Sequence, residues 1–214
     1  MGFIDGRYRT LAAPDHRGLN GKSSGGYGAL VLAMRNPQIF GAVASHSGDM
    51  YFEACYLADF WKTLNTIHKH GGLEATLKKF LDAPKKPEEI VSALVTVIAM
   101  AMAHSPNPSS PLGFDMPLDL DTGLLNEAVW KRWLEWDPVR MVERYADSLR
   151  GMRLVYVECG SRDQYNLHHG ARILHRRLEQ LGIKHEHQEF DDDHTAVNYR
   201  YVESLRRLCA ALQP

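Results

Sequence analysis

Ser23 stands at the centre of Gly21-Lys22-Ser23-Ser24-Gly25, a G-x-S-x-G run between a short strand at 17–20 and a helical stretch at 25–36. This spacing suits nucleophilic attack. Small flanking residues let the chain reverse sharply and leave the serine hydroxyl on a strained backbone above a sheet. A serine hydroxyl is a poor nucleophile near neutral pH, so it needs a base beside it and a group that orients the base. Two distant loops offer both. The apolar run Leu154-Val155-Tyr156-Val157 leads to Cys159-Gly160-Ser161-Arg162-Asp163, and a strand at 185–190 leads to Asp191-Asp192-Asp193-His194. Open α/β sheets build their sites at the carboxyl ends of their strands, which makes Ser23, Asp163 and His194 the candidate catalytic residues. In this reading His194 takes the proton of Ser23 and returns it to the leaving group, while Asp163 holds the imidazole tautomer. The backbone N–H of Ser24 faces the oxyanion, helped by the positive end of the following helix.

Other residues compete for these roles. Ser24 has Lys22, not glycine, two positions before it; Asp191, Asp192 and Asp193 lie too close in sequence to His194 to orient its ring and read as a solvated turn. His168 and His169 begin a helix near Asp163 and read as exposed. Gly21-Lys22-Ser23 mimics the end of a phosphate-binding loop, but position 16, five before Gly21, is histidine where that loop needs glycine. His185-Glu186-His187 on a strand would present both imidazoles on one face, as a metal site requires, yet no third ligand stands at recognisable spacing, so surface histidines are expected. No metal and no cofactor are anticipated.

The serine, acid, histidine order is that of α/β-hydrolases. The stretch from Phe3-Ile4-Asp5-Gly6-Arg7-Tyr8-Arg9-Thr10 through the serine turn to Asn36-Pro37-Gln38-Ile39-Phe40-Gly41-Ala42-Val43-Ala44-Ser45-His46-Ser47-Gly48 resembles the α/β-hydrolase esterase family that includes esterase D (S-formylglutathione hydrolase), feruloyl esterases, enterochelin esterases and mycolyltransferases. The likeness is dense over 3–52, recurs at 153–164 and 188–200, and is weak between. It implies a serine hydrolase acting on carboxylic esters or thioesters, with Ser23, Asp163 and His194 on the triad positions. Two departures stand out: Ser24 where the family often has methionine, and Asp192-Asp193 where it usually has a glycine before the histidine. The front of the fold, which in the family carries about four more strands and the second oxyanion donor, is not found before Ser23. A fragment, a compact variant completed by a partner chain and a weak enzyme are all consistent with that. The alternative function is a truncated, non-catalytic hydrolase remnant with a binding or assembly role.

The elements that must position these residues follow a βαβα rhythm. Strands are expected at 17–20, 42–45, 153–158 and 185–190, and helices at 25–36, 167–181 and 196–212. The fold class is therefore α/β, the C-terminal half of an α/β-hydrolase, with a parallel sheet flanked by helices. Residues 1–51 carry the serine turn and 150–214 the acid and histidine. Between them, 52–149 reads as a helical cap, with helices at 56–69, 73–81, 87–103 and 124–136 broken by Ser105-Pro106-Asn107-Pro108-Ser109-Ser110-Pro111. All four tryptophans fall in this insertion. Trp130 and Trp133 share a helix face and either anchor the cap to the body or line an acyl or aryl pocket. Asp49 follows the second strand as a pocket residue or a helix N-cap.

Composition narrows the partners. The 214 residues carry 25 Lys and Arg against 26 Asp and Glu, 44% hydrophobic residues and no basic stripe, which gives no footprint for nucleic acid or an anionic membrane. The expected partner is a small-molecule ester. Three widely spaced cysteines argue against a disulfide framework and, with no secretory signal, for the cytoplasm. The longest apolar stretch, 90–102, is too short to span a bilayer. With no strand before it, the serine-bearing strand would lie at a sheet edge, and a homo-oligomer or a separate segment is expected to cover it.

Overall fold

The computed structural model describes residues 1–212, apart from the side chains of Ala93 and Val95. In chain order its elements are α1 (Gly2–Arg7), a 3₁₀ turn (Pro14–His16), β1 (Gly18–Lys22), α2 (Ser24–Arg35), β2 (Ala42–His46), α3 (Phe52–Cys55), α4 (Leu57–Lys69), α5 (Leu73–Asp82), α6 (Glu88–His104), α7 (Glu127–Leu134), α8 (Pro138–Arg144), α9 (Ala146–Arg150), β3 (Leu154–Gly160), α10 (Leu167–Gln180), β4 (Glu186–Phe190), a second 3₁₀ turn (Val197–Arg200) and α11 (Tyr201–Ala211). The chain divides into two units, Met1–Tyr51 with Asp137–Pro214, and Phe52–Trp136.

In the first unit the four strands form one parallel sheet in the order β1-β2-β3-β4. β2 and β3 are buried throughout, because helices cover both faces. Side chains alternate across the sheet. Ala42, Ala44, Leu154 and Tyr156 pack with Leu208 of α11 on one face; α2 and α10 pack against the strands as well, with Gly26 of α2 close upon Ser45 of the opposite parity. Among the described residues β1 is paired on one side only, so the strand that leads to Ser23 is an edge of this sheet.

The expected boundary at 149/150 moves to 136/137. α8 and α9 belong to the sheet unit, where α8 packs on α10 and α2, and α9 on α2. Pro138, Val139, Met141 and Val142 are the buried face of α8. Asp137 starts this helix with its side chain accepting from Val139 N, and Pro138 takes the first helical position, where its missing N–H costs nothing. Asp137 Oδ1 also accepts from Tyr51 N at 2.9 Å, and Oδ2 from Arg140 at 2.7 Å. The points where the chain leaves and re-enters the sheet unit are thus joined by one hydrogen bond, at a tyrosine held at φ 58°.

The second unit is helical, with α4 packed on α6 and α5 on both. Its core is aromatic: Phe60 meets Trp130 and Trp133 edge-on at 5.4 and 5.5 Å, Tyr56 meets Trp133 at 6.1 Å, and His104 lies 5.6 Å from Trp133. Trp133 Nε1 donates to Ser105 Oγ at 2.9 Å. Burial pushes the His104 imidazole down to about 4, so it enters this core uncharged. No helix is long and apolar enough to cross a membrane among the described residues.

Candidate active site

Ser23 leaves the end of β1 at φ 56°, ψ −131°, a conformation that non-glycine residues rarely adopt, and the next residue, Ser24, begins α2. The neighbouring glycines explain how this turn closes. A β-carbon at Gly21 would overlap Gly25 O, and one at Gly26 would lie 2.9 Å from Ser45 Oγ and 3.0 Å from Gly21 O. Gly25 has open space at that position, so the tight packing falls on Gly21 and Gly26. Ser24 is exposed, with its N–H at the positive end of the α2 dipole.

Asp163 lies beyond β3 with its side chain fully buried. Its Oδ1 accepts from Tyr165 N at 2.9 Å, and Oδ2 lies 2.7 Å from His194 Nδ1. Cys159 Sγ donates to the same Oδ2 at 3.7 Å; burial, first of all, raises that thiol's pKa and keeps it a donor. An acceptor-only carboxylate at Nδ1 requires the proton to sit there, which leaves Nε2 as the free base. The edge of the Tyr165 ring meets the His194 ring at 4.9 Å, and His194 N donates to Gln164 Oε1 at 3.0 Å.

The three loops are laced together at one end of the sheet. Ser23 N donates to His46 O, Ser47 N to Glu158 O and Ser161 N to Phe190 O, which continues the ladder one step past each strand. A β-carbon at Gly160 would lie 2.5 Å from Asp192 O, so the histidine loop folds down onto the end of β3. β1 and β4 are three strand spacings apart, about 14 Å, yet Lys22 Nζ donates to Thr195 O at 3.3 Å. The histidine loop therefore reaches back across the sheet to the residues flanking Ser23.

The remaining candidates have other surroundings. Asp49 is buried in the sheet unit and acts on Tyr27 of α2, whose phenol is raised first by burial and then by the charges of Asp49 and Asp137. Trp130 and Trp133 are core residues of the second unit, packed against other aromatic rings, which accounts for both without a substrate. A cavity of about 980 Å³ within that unit is lined by residues such as Leu73, Phe114, Met116, Leu118 and Leu124, with neither tryptophan among its walls. His185 and His187 are not surface residues. They are half-buried against His175 of α10, with His175 Nδ1 2.7 Å from His185 Nε2 and the His175 and His187 rings stacked at 4.6 Å. His169 is exposed, whereas His168 is half-buried, its pKa lowered first by burial and then by the charges of His169 and Arg172. Asp193 accepts from Thr195 N and Oγ1, both at 2.6 Å, and serves the loop's own turn.

A second serine–histidine–carboxylate series lies beneath the site. Ser204 Oγ is 2.7 Å from His46 Nε2, and His46 Nδ1 is 2.6 Å from Glu158 Oε1. All three residues are at most 2% exposed, so no substrate can reach them, and the series is a structural one.

The parallel sheet flanked by helices is that of an α/β-hydrolase. The chain matches the family described as "Putative esterase" over residues 1–207 and belongs to it. Among solved structures it is similar to a ferulic acid esterase (17% identity, TM-score 0.55), covering 99% of this chain and 58% of that one. It is also similar to a fluorophosphonate-binding serine hydrolase of Staphylococcus aureus (13%, TM-score 0.53, 100% and 60%) and to an S-formylglutathione hydrolase of Agrobacterium tumefaciens (16%, TM-score 0.50, 99% and 54%). The chain thus spans rather more than half the length of these proteins. A search of curated protein sequences returned no match.

Proposed function

We propose that this protein is a serine esterase that cleaves carboxylic esters, thioesters included, through an acyl-enzyme on Ser23. The observation that carries this reading is the 2.7 Å bond from His194 Nδ1 to the buried Asp163 carboxylate, in a loop that reaches back to the residues flanking a strained serine. In the reaction, His194 Nε2 accepts the Ser23 proton as Oγ bonds to the ester carbonyl carbon, and the carbonyl electrons move to oxygen. The backbone N–H of Ser24 stabilises that oxyanion. As the intermediate collapses, the alkoxide or thiolate leaves with the proton from His194. Water, deprotonated by the same imidazole, then attacks the acyl carbon and releases the acid and Ser23. Asp163 stays ionised throughout and stabilises the transient imidazolium.

Likeness to feruloyl and S-formylglutathione esterases sets the first substrates to try, an aryl ester and a small acyl thioester. The direct test is hydrolysis of a p-nitrophenyl ester by the wild type and by Ser23→Ala. The reading expects release to fall to the uncatalysed background in the variant. Release that does not depend on Ser23 would overturn it and leave the non-catalytic alternative.

A further inference from the structure

Glu158 is a carboxylate within an otherwise uncharged, fully buried strand, and the family's chemistry assigns it no part. It lies two residues before the carboxyl end of β3, from which the Asp163 loop departs. In register it faces His46 of β2 on one side and Gln188 of β4 on the other, a polar row directly under the site. The cation that meets this row is Arg200, whose NH2 donates to Glu158 Oε2 at 2.6 Å and to Gln188 Oε1 at 2.8 Å, and whose Nε donates to Glu158 Oε2 at 3.1 Å. Tyr156 OH also donates to Glu158 Oε2. The guanidinium carbon stands 4.6 Å from the centroid of Phe190, the last residue of β4.

Arg200 comes six residues after His194 and ends the 3₁₀ turn that follows the histidine loop. Phe190 and Gln188 lie just before that loop. One side chain therefore grips the strand where the loop departs, the turn where it returns, and the sheet floor between. Two other side-chain fastenings of the loop, Arg162 to Asp191 and Lys22 to Thr195, are exposed and correspondingly weak.

We propose that Arg200, seated on Glu158, is a positioning residue for His194: it clasps the two ends of the histidine loop and so fixes the imidazole over Asp163. The proposal rests on the Ser23–His194–Asp163 reading above. A planar, bidentate donor suits the role because it bonds Glu158 and Gln188 at once while its guanidinium carbon stands over an aromatic ring, a combination that the point charge of a lysine does not reproduce.

The experiment compares wild type, Arg200→Met, Arg200→Lys and Glu158→Gln by p-nitrophenyl ester kinetics, fluorophosphonate labelling rate and proton NMR of the His194–Asp163 hydrogen bond. Asp163→Asn identifies that downfield resonance. Misplacing a catalytic group by about an ångström costs on the order of 100-fold. Arg200→Met should therefore lose about that much in kcat and in labelling rate, with KM within about two-fold. The resonance should broaden or vanish, and Arg200→Lys should recover part of each loss. Glu158→Gln keeps the shape of the floor and should show the same pattern more weakly, which serves if Arg200→Met fails to fold. Folded variants with an intact resonance and unchanged kcat would overturn the clasp while leaving the triad standing. A wild type that is not labelled at Ser23 would instead remove the triad reading itself, and the clasp with it.

Discussion

The bond between His194 Nδ1 and Asp163 Oδ2 fixes which imidazole nitrogen can act as base, and that is the residue-scale core of the account. Asp163→Asn keeps the size of the side chain but can donate to Nδ1, which turns the ring to the wrong tautomer. It is expected to lower kcat by roughly 10⁴-fold with little change in KM, measured by steady-state ester hydrolysis. The serine turn depends equally on space. A methyl group at Gly21 would collide with the Gly25 carbonyl, so Gly21→Ala should lower stability by about 3 kcal/mol in denaturant titration and abolish Ser23 labelling. Much of this was legible in the sequence, because G-x-S-x-G and loops after apolar runs are local signals. What was not legible is what supports them. Cys159 and the Tyr165 N–H bond Asp163 within its own loop, but Gln164 and the Tyr165 ring meet His194 only through the way the two loops fold over one another. Glu158 did carry a signal, a carboxylate inside a buried strand, but its partners His46 and Arg200 are 112 and 42 residues away.

Strands and their flanking helices were readable because period and punctuation agree: each observed strand starts within one residue of its expected position. The boundary of the insertion was not. α8 and α9 are seven and five residues long, too short to declare which body their apolar face will join. The signal that could have placed it was Asp137-Pro138, an N-cap followed by a first-turn proline. Asp137 then takes on a second duty at Tyr51, and Asp137→Ala removes a helix cap and leaves Tyr51 N–H without that acceptor. A loss of about 2 kcal/mol in thermal or denaturant unfolding is expected. The polar row across β2, β3 and β4 makes a pH prediction. Burial alone would raise the Glu158 carboxyl, but hydrogen bonds from His46, Arg200 and Tyr156 outweigh it and hold its pKa below the ordinary 4.5. A carboxyl depressed by folding contributes stability that is complete above its unfolded pKa and is lost as pH falls through the folded one. Wild-type melting temperature should therefore drop more steeply than that of Glu158→Gln below about pH 4.5, the two curves converging in acid.

At the scale of the molecule, a near-neutral chain with balanced charge carries a parallel sheet in which the strand that leads to Ser23 is, among the described residues, bonded on one side only. An edge of unpaired backbone groups invites pairing. We propose that a second copy or a separate segment covers β1; where it is a second copy, light scattering should report more than one chain per particle. A monodisperse monomer with β1 amides open to hydrogen exchange would contradict this. We propose above all that side chains from the turn after β1 and from the loops after β3 and β4 act as one nucleophilic unit. Its most direct test is mass mapping of the intact protein after a fluorophosphonate probe. One adduct per chain is predicted, on Ser23, formed roughly 10⁴-fold more slowly in His194→Ala. An adduct on another residue, or equal labelling with and without His194, would contradict the account.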